Sequence, residues 1–229
     1  MMTGQFERHI MADGAKIRVY HAVAQGARRG GIVLLQEIFG VNSHIRSLCD
    51  RFATLGFEVL APALFDREAP GFEVGYDADG IAAGRRLARE LHPIALSLSD
   101  TQSCIDALVP DGPVFVVGYC YGGSLAWFAA TRLHGVAAVA GYYGALVPDA
   151  ADEGPRCPVA LHFGRHDPGI PLAGVERVIA ASHPGTQVYL YDAGHGFNCD
   201  QRADYDPSAA ALALDRTLAL FAAAGAGSR

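Results

Sequence analysis

The sequence places a cysteine between glycines, directly after a run of apolar residues. Cys120 lies within residues 118–123 (Gly-Tyr-Cys-Tyr-Gly-Gly), and residues 114–117 (Val-Phe-Val-Val) precede it. This order is typical of a strand, a sharp turn and a helix start, as in a nucleophile elbow with sulfur in place of oxygen. The helix N-terminus favours a thiolate. We therefore predict a nucleophilic cysteine for acyl transfer, with an inert cysteine in a glycine-rich turn as the alternative.

A histidine and an aspartate follow Cys120 in loops that come after predicted strands. His195 follows the predicted strand 187–191, and Asp167 follows the predicted strand 159–163. An imidazole in such a loop can act as a general base, and a carboxylate can fix its tautomer. Asp192 is an alternative acid, but it lies too close to His195 to come from a separate loop. The order nucleophile, acid, base is that of the α/β hydrolases.

A further carboxylate and two backbone donors are predicted near the cysteine. Glu37 follows the apolar residues 31–35 and so stands at the carboxyl end of a predicted strand. In such a fold this loop supplies an oxyanion-hole N–H, here that of Ile38, and Tyr121 after the nucleophile supplies the second. The Glu37 carboxylate is placed to accept the thiol proton or to hold the thiol inactive. A solvated loop glutamate is the alternative.

To bring these residues together, several strands must end at the same edge of one sheet. Strands are predicted at 31–35, 57–61, 114–117, 136–140, 159–163 and 187–191, after a hairpin of 6–11 and 16–22. Helices are predicted at 43–55, with Ser43 as the N-cap, and at 79–91, 93–108, 122–133, 171–182 and 207–223. This alternation predicts an α/β-hydrolase fold in a single domain, residues 1–229, with a mostly parallel sheet and helices on both faces. Residues 62–79 are predicted to be irregular, and a lid function for them is left open.

Composition excludes several classes of function. The chain has 229 residues, of which 51% are hydrophobic, and a net charge of −6 without a basic stripe, so a nucleic-acid partner is not expected. No apolar segment reaches the ~20 residues of a membrane span, and the start lacks a signal-peptide core, so we expect a cytoplasmic protein and assume a monomer. The five widely spaced cysteines form no CxxC pair, and no metal-binding spacing occurs near the predicted site. Neither a metal nor another cofactor is therefore expected.

Taken together, the motifs resemble those of the dienelactone hydrolase family, the carboxymethylenebutenolidases. The matching segments span nearly the whole chain: 36–42, 118–123, 141–144, 164–167 and 193–197. The resemblance implies a carboxylic ester hydrolase with a triad of Cys120, Asp167 and His195. It also implies that Glu37 acts on the Cys120 thiol, and that substrate binding shifts this contact and releases a thiolate.

The resemblance also implies how the substrate is held. In this family two arginines bind a substrate carboxylate, and Arg85 or Arg86 matches one of them. The other position, four residues after the triad histidine, is Cys199 here, and Arg202 is nearby but out of register. The anion site is therefore expected to be incomplete. Two aromatic residues of the matching motifs are also predicted to contact substrate: Phe39 and Tyr142.

A sulfur nucleophile narrows the class of substrate. A thiolate leaves a tetrahedral intermediate more readily than an alkoxide does, so an ordinary alkyl ester mostly reverts, whereas an enolate competes well. The prediction is a small activated ester or an enol lactone, opened through a thioester. The alternatives are a general carboxylesterase or thiol esterase with another substrate, and a non-catalytic binding module of the same fold.

Overall fold

An eight-stranded sheet forms the centre of the computed structural model, which describes residues 4–227. Its strands are β1 (Gln5–Ile10), β2 (Lys16–Ala22), β3 (Gly30–Leu35), β4 (Phe57–Pro62), β5 (Val114–Tyr119), β6 (Ala138–Tyr142), β7 (Val159–Gly164) and β8 (Thr186–Tyr191). Their order in the sheet is β1-β2-β4-β3-β5-β6-β7-β8. Of these eight, β2 alone runs against the others, because it pairs antiparallel with both β1 and β4. The predicted opening hairpin and the mostly parallel sheet are confirmed.

Six α-helices cover both faces of this sheet: α1 (Ser43–Thr54), α2 (Ala78–Arg86), α3 (Ile94–Leu108), α4 (Tyr121–Arg132), α5 (Leu172–Ala181) and α6 (Pro207–Ala223). Adjacent residues of β3 show the two faces. A side chain at Gly31 would meet Leu108 of α3, whereas one at Gly30 would meet Phe115, whose ring stacks on Phe221 of α6. The chain therefore has the predicted α/β-hydrolase fold. Within residues 4–227, every helix is too short or too polar to cross a bilayer.

The central strands are buried along their whole length, which explains their uniform apolar sequence. Every residue of β3 and β5 is buried, as expected for parallel strands that helices cover on both faces. Register aligns the strand ends, since Leu35 pairs with Gly118 and Gly164 pairs with Tyr191. The loops that leave β3, β5, β7 and β8 consequently start at one edge of the sheet.

Three details differ from the sequence-based prediction. The N-cap of α1 is Asn42, not Ser43, because the Asn42 side chain accepts a hydrogen bond from the Ile45 N–H at 3.2 Å. The predicted helix 79–91 begins at Ala78 and changes to a π-helical turn at Leu87–Leu91. The segment 62–79 contains a 3₁₀ helix at Leu64–Arg67.

The rest of that segment packs against the loop that follows β3. The Val74 N–H donates to the Phe39 carbonyl at 3.2 Å, and Gly40 forms an isolated bridge with Glu73. The segment therefore covers the loop that carries Glu37.

Candidate active site

The backbone at Cys120 is strained and is held in place by close main-chain contacts. Cys120 has φ 54° and ψ −110°, a conformation that L-residues rarely adopt. A Cβ atom at Gly118 would lie 1.9 Å from the Gly122 carbonyl oxygen, and one at Gly122 would lie 2.2 Å from that of Leu35. The Cys120 N–H donates to the Tyr142 carbonyl at 3.0 Å. The tight turn predicted at residues 118–123 is therefore present, and it can form only with glycine at these flanking positions.

The structure brings together the side chains of Cys120, His195 and Asp167. His195 Nε2 lies 3.2 Å from Cys120 Sγ, and His195 Nδ1 lies 2.6 Å from Asp167 Oδ2. The other carboxylate oxygen of Asp167 accepts from the Gly169 N–H at 2.8 Å, which fixes the carboxylate. With Nδ1–H donating to Asp167, Nε2 faces the sulfur and can exchange a proton with it.

Main-chain contacts join the loops that carry the acid and the histidine. The His166 N–H donates to the Ala193 carbonyl at 3.0 Å, and a Cβ atom at Gly164 would lie 2.4 Å from that carbonyl oxygen. Asp192, the alternative acid, instead pairs with the exposed His166 at 2.6 Å. Asp167 is thus the carboxylate that contacts His195.

The contacts of His195 with Asp167 and Cys120 favour its protonated form. Burial by itself lowers the pKa of His195, but its hydrogen bonds with the Asp167 carboxylate and with Cys120 outweigh burial and raise the pKa to about 10. The Nε2–H of this imidazolium faces Cys120 Sγ at 3.2 Å, and its charge favours negative charge that develops nearby.

Two backbone N–H groups near the sulfur are available to an oxyanion. The N–H groups of Ile38 and Tyr121 donate to no acceptor within residues 4–227. The Gly122 N–H donates to the Gln36 carbonyl at 2.9 Å and so links the two segments that carry these donors. A Cβ atom at Gly84 would lie 2.3 Å from the Ile38 carbonyl oxygen, which places α2 against this loop.

Glu37 is fully buried, and its carboxylate is hydrogen bonded to Tyr76 of the covering segment. The Tyr76 hydroxyl donates to Glu37 Oε2 at 3.4 Å, while Oε1 has no hydrogen-bond partner in the described chain. The thiol of Cys120 is paired with His195 instead. Among residues 4–227 no hydrogen bond joins Glu37 to the Cys120 thiol, and the role that the family resemblance implies for Glu37 stays a prediction.

Glu37 belongs to a cluster of potential metal ligands, which the spacing of residues in the sequence does not indicate. One donor atom each of Glu37, His44 and Cys199 lies within 4.8 Å of the others, and all three residues are buried. Burial, together with the charge of Glu37, raises the pKa of the Cys199 thiol to about 11. His44 and Cys199 lie in segments that are distant in the sequence, so no local spacing pattern indicates this cluster.

The two predicted arginines lie at the surface, in the last turn of α2. Gly84 faces inwards, so Arg85 lies at the flank of α2, whereas Arg86 lies on the side away from the sheet. Both side chains are exposed, and neither forms an ion pair with any residue between 4 and 227. Their contact with a substrate stays a prediction.

The predicted aromatic contacts need correction. Tyr142 is completely buried, and its hydroxyl bonds to Thr217 of α6 at 2.8 Å, so it cannot line a substrate site. Its neighbour Tyr143, with φ 39°, turns its ring to within 5.1 Å of the His195 ring, and its buried hydroxyl lacks a partner. Phe39 is 2% exposed and packs edge-on against Tyr76 rather than facing an open surface. Because Tyr143 lies just after β6 and has a positive φ, the alternation of side chains along the strand gives no signal for it.

Comparisons of sequence and structure relate this chain to a known family of proteins. The model of the dienelactone hydrolase family matches residues 17–225. A provisionally named carboxymethylenebutenolidase of Synechocystis is 36% identical over 209 residues, covering 83% of this chain and 84% of that protein. The carboxymethylenebutenolidase of Pseudomonas putida is 29% identical, covering 93% of this chain and 97% of that one. A crystal structure of a provisionally named dienelactone hydrolase from Klebsiella pneumoniae superposes with a TM-score of 0.79 at 28% identity, covering 96% and 98% of the two chains.

Substitution of the glycine before the turn tests the close approach of strand and helix. Gly118→Ala is expected to lower the free energy of unfolding by about 2–3 kcal/mol, because the added methyl group collides with main-chain atoms. Gly154→Ala is the matched control, since nothing lies within 4 Å of its added Cβ, and it should change stability by less than about 0.5 kcal/mol. Urea unfolding of both variants measures the difference, and equal stabilities would contradict the proposed constraint.

The raised pKa of His195 predicts a pH-dependent contribution to stability. A histidine whose folded-state pKa rises from 6.5 to about 10 stabilises the fold fully below 6.5, and this stabilisation disappears as pH rises to about 10. The difference in free energy of unfolding between the protein and His195→Gln should therefore shrink from about pH 6 to about pH 10. Urea titrations across this range measure it, and a constant or growing difference would show that the imidazole is neutral in the folded state.

Proposed function

The chain belongs to the dienelactone hydrolase family, and from that premise we propose that it hydrolyses a small activated ester or an enol lactone. Cys120 is the nucleophile, His195 the acid–base residue and Asp167 the residue that orients the imidazole. The observation that carries this proposal is the aligned pair of contacts on His195, at 3.2 Å to Cys120 Sγ and 2.6 Å to Asp167 Oδ2. Such a relay on a strained strand-to-helix turn is suited to acyl transfer.

The first half of the reaction forms a thioester. The Cys120 thiolate attacks the carbonyl carbon of the substrate, and the N–H groups of Ile38 and Tyr121 receive the negative charge on the carbonyl oxygen. The tetrahedral intermediate then breaks its bond to the ester oxygen. His195, which is cationic at this stage because of its raised pKa, delivers a proton to the departing enolate.

The second half releases the acid. Neutral His195, held through Nδ1 by Asp167, takes a proton from water as the water attacks the thioester carbon. The intermediate collapses with the sulfur as leaving group, and the thiolate–imidazolium pair forms again. The net reaction consumes one ester bond and one water, and it yields a carboxylic acid and an enol.

The Cys120 sulfur determines which leaving groups permit thioester formation. Each tetrahedral intermediate partitions between loss of the thiolate and loss of the ester oxygen, and the more stable anion leaves faster. An alkoxide loses this competition, whereas an enolate is stabilised by delocalisation. The surface position of Arg85 beside the Ile38 loop suits a substrate that carries a carboxylate at its far end, as the resemblance implies.

A pair of aspartate variants tests the triad. Asp167→Asn is expected to lower kcat/KM for p-nitrophenyl acetate by about 10²–10⁴-fold, because the imidazole loses its tautomer and its cationic form loses a partner. Asp192→Asn is the matched control: it changes an exposed carboxylate that binds His166, and activity should be unchanged. Alkylation of Cys120 with one equivalent of iodoacetamide should also abolish hydrolysis. An alkylated protein that stays active would refute the enzymatic role of this thiol.

A comparison of leaving groups tests the class of substrate. The protein is expected to hydrolyse an enol lactone with a kcat at least about tenfold above that for the ethyl ester of the same acid, since only the enolate competes with the thiolate. Steady-state kinetics on such a pair provide the measurement. Equal kcat values would instead identify a general esterase.

A further inference from the structure

Glu37, His44 and Cys199 form a buried polar cluster that the proposed reaction does not use. Their donor atoms lie within 4.8 Å of one another, and the residues are 0%, 2% and 0% exposed. Glu37 Oε1 and His44 Nε2 have no hydrogen-bond partner within residues 4–227. A buried polar atom without a partner is unfavourable, so two such atoms in one cluster leave two groups free to bind a ligand.

His44 is oriented so that its free nitrogen can bind a cation. Its Nδ1 lies 3.2 Å from Asp200 Oδ1, so Nδ1–H donates to this carboxylate and leaves the lone pair on Nε2. A carboxylate behind the distal nitrogen is the usual support of a metal-binding histidine, because it fixes both the tautomer and the ring orientation. The contact with Asp200 supplies this support to His44.

The segments that carry the three residues are joined to each other. The Ser43 hydroxyl and the Gln201 amide are hydrogen bonded at 3.1–3.2 Å, which links the start of α1 to the loop that contains Cys199. The Cys199 N–H donates to the Gly196 carbonyl at 2.8 Å and closes a turn there. These hydrogen bonds hold the segments together, so the three donor atoms are fixed relative to one another.

We propose that Glu37, His44 and Cys199 bind a divalent cation of borderline softness, Zn²⁺ being the best match. Imidazole nitrogen, thiolate sulfur and carboxylate oxygen are together the ligand types of Zn²⁺, whereas Mg²⁺ and Ca²⁺ prefer oxygen alone. On binding, the Cys199 thiol forms a metal–sulfur bond and releases its proton to solvent. The fourth position of a tetrahedral site is left to water or to the Tyr76 hydroxyl, which lies 3.4 Å from Glu37 Oε2. This inference is independent of the proposed hydrolase activity.

Cobalt spectroscopy tests the site without any measurement of hydrolysis. The full chain, first freed of metal with a chelator, is titrated with Co²⁺, which replaces Zn²⁺ and absorbs light. We expect one equivalent to give a thiolate-to-cobalt band in the near ultraviolet and intense visible bands typical of four-coordination, which added Zn²⁺ then removes. Cys199→Ser should abolish the near-ultraviolet band. Asp200→Asn, which changes an exposed side chain and so leaves folding intact, should weaken binding by about 10–100-fold.

Two further cysteine variants serve as controls. Cys157→Ser and Cys120→Ser each remove a thiol that is not part of the cluster, so both should keep the band. Absence of the band from the unmodified chain would overturn the proposal. The same holds if the band survives Cys199→Ser, if it disappears in Cys120→Ser, or if Asp200→Asn binds Co²⁺ as tightly as the unmodified chain.

Discussion

The whole site depends on the close approach of three backbone segments around Cys120. The end of β5, the first turn of α4 and the end of β3 meet where Gly118 and Gly122 leave no space for a side chain. A strained residue such as Cys120 costs roughly 1–3 kcal/mol and persists only where its surroundings fix it. The paired register of Leu35 with Gly118 supplies this support from the buried centre of the sheet. The position of the sulfur is therefore set by main-chain contacts, and His195 and Asp167 are brought to it by loops that leave the same edge.

Most of this frame could be predicted from the sequence, because it follows from local patterns. Buried parallel strands require continuous apolar runs, and glycines mark the turn, so the strands and the loops after them were identified to within a few residues. The residues of the triplet were found because each follows such a strand. The predictions were wrong where a shift by one position changes which side chain caps a helix or faces the site. Asn42 rather than Ser43 caps α1, and Tyr143 rather than Tyr142 turns towards His195.

The buried cluster could not be predicted in this way, since its members share no local pattern. Glu37 follows β3, His44 lies in α1, and Cys199 comes more than a hundred residues later. Only the packing of α1 against the loop after β8 brings them together. The Glu37 carboxylate accepts a hydrogen bond from Tyr76 of the segment that covers this loop. One loop thus serves two neighbouring sites, through its backbone at Ile38 and its side chain at Glu37.

The hydrogen bond from the Gly122 N–H to the Gln36 carbonyl has a consequence for how such a scaffold diversifies. It couples the two candidate oxyanion donors through peptide groups alone, so no side chain at position 38 or 121 is needed to space them. The side chains around the acyl group can then change one at a time, while the positions of the two oxyanion donors stay the same. Side-chain changes at Ile38, or on the neighbouring face of α2, would accordingly alter the surroundings of the acyl group and leave both donors in place.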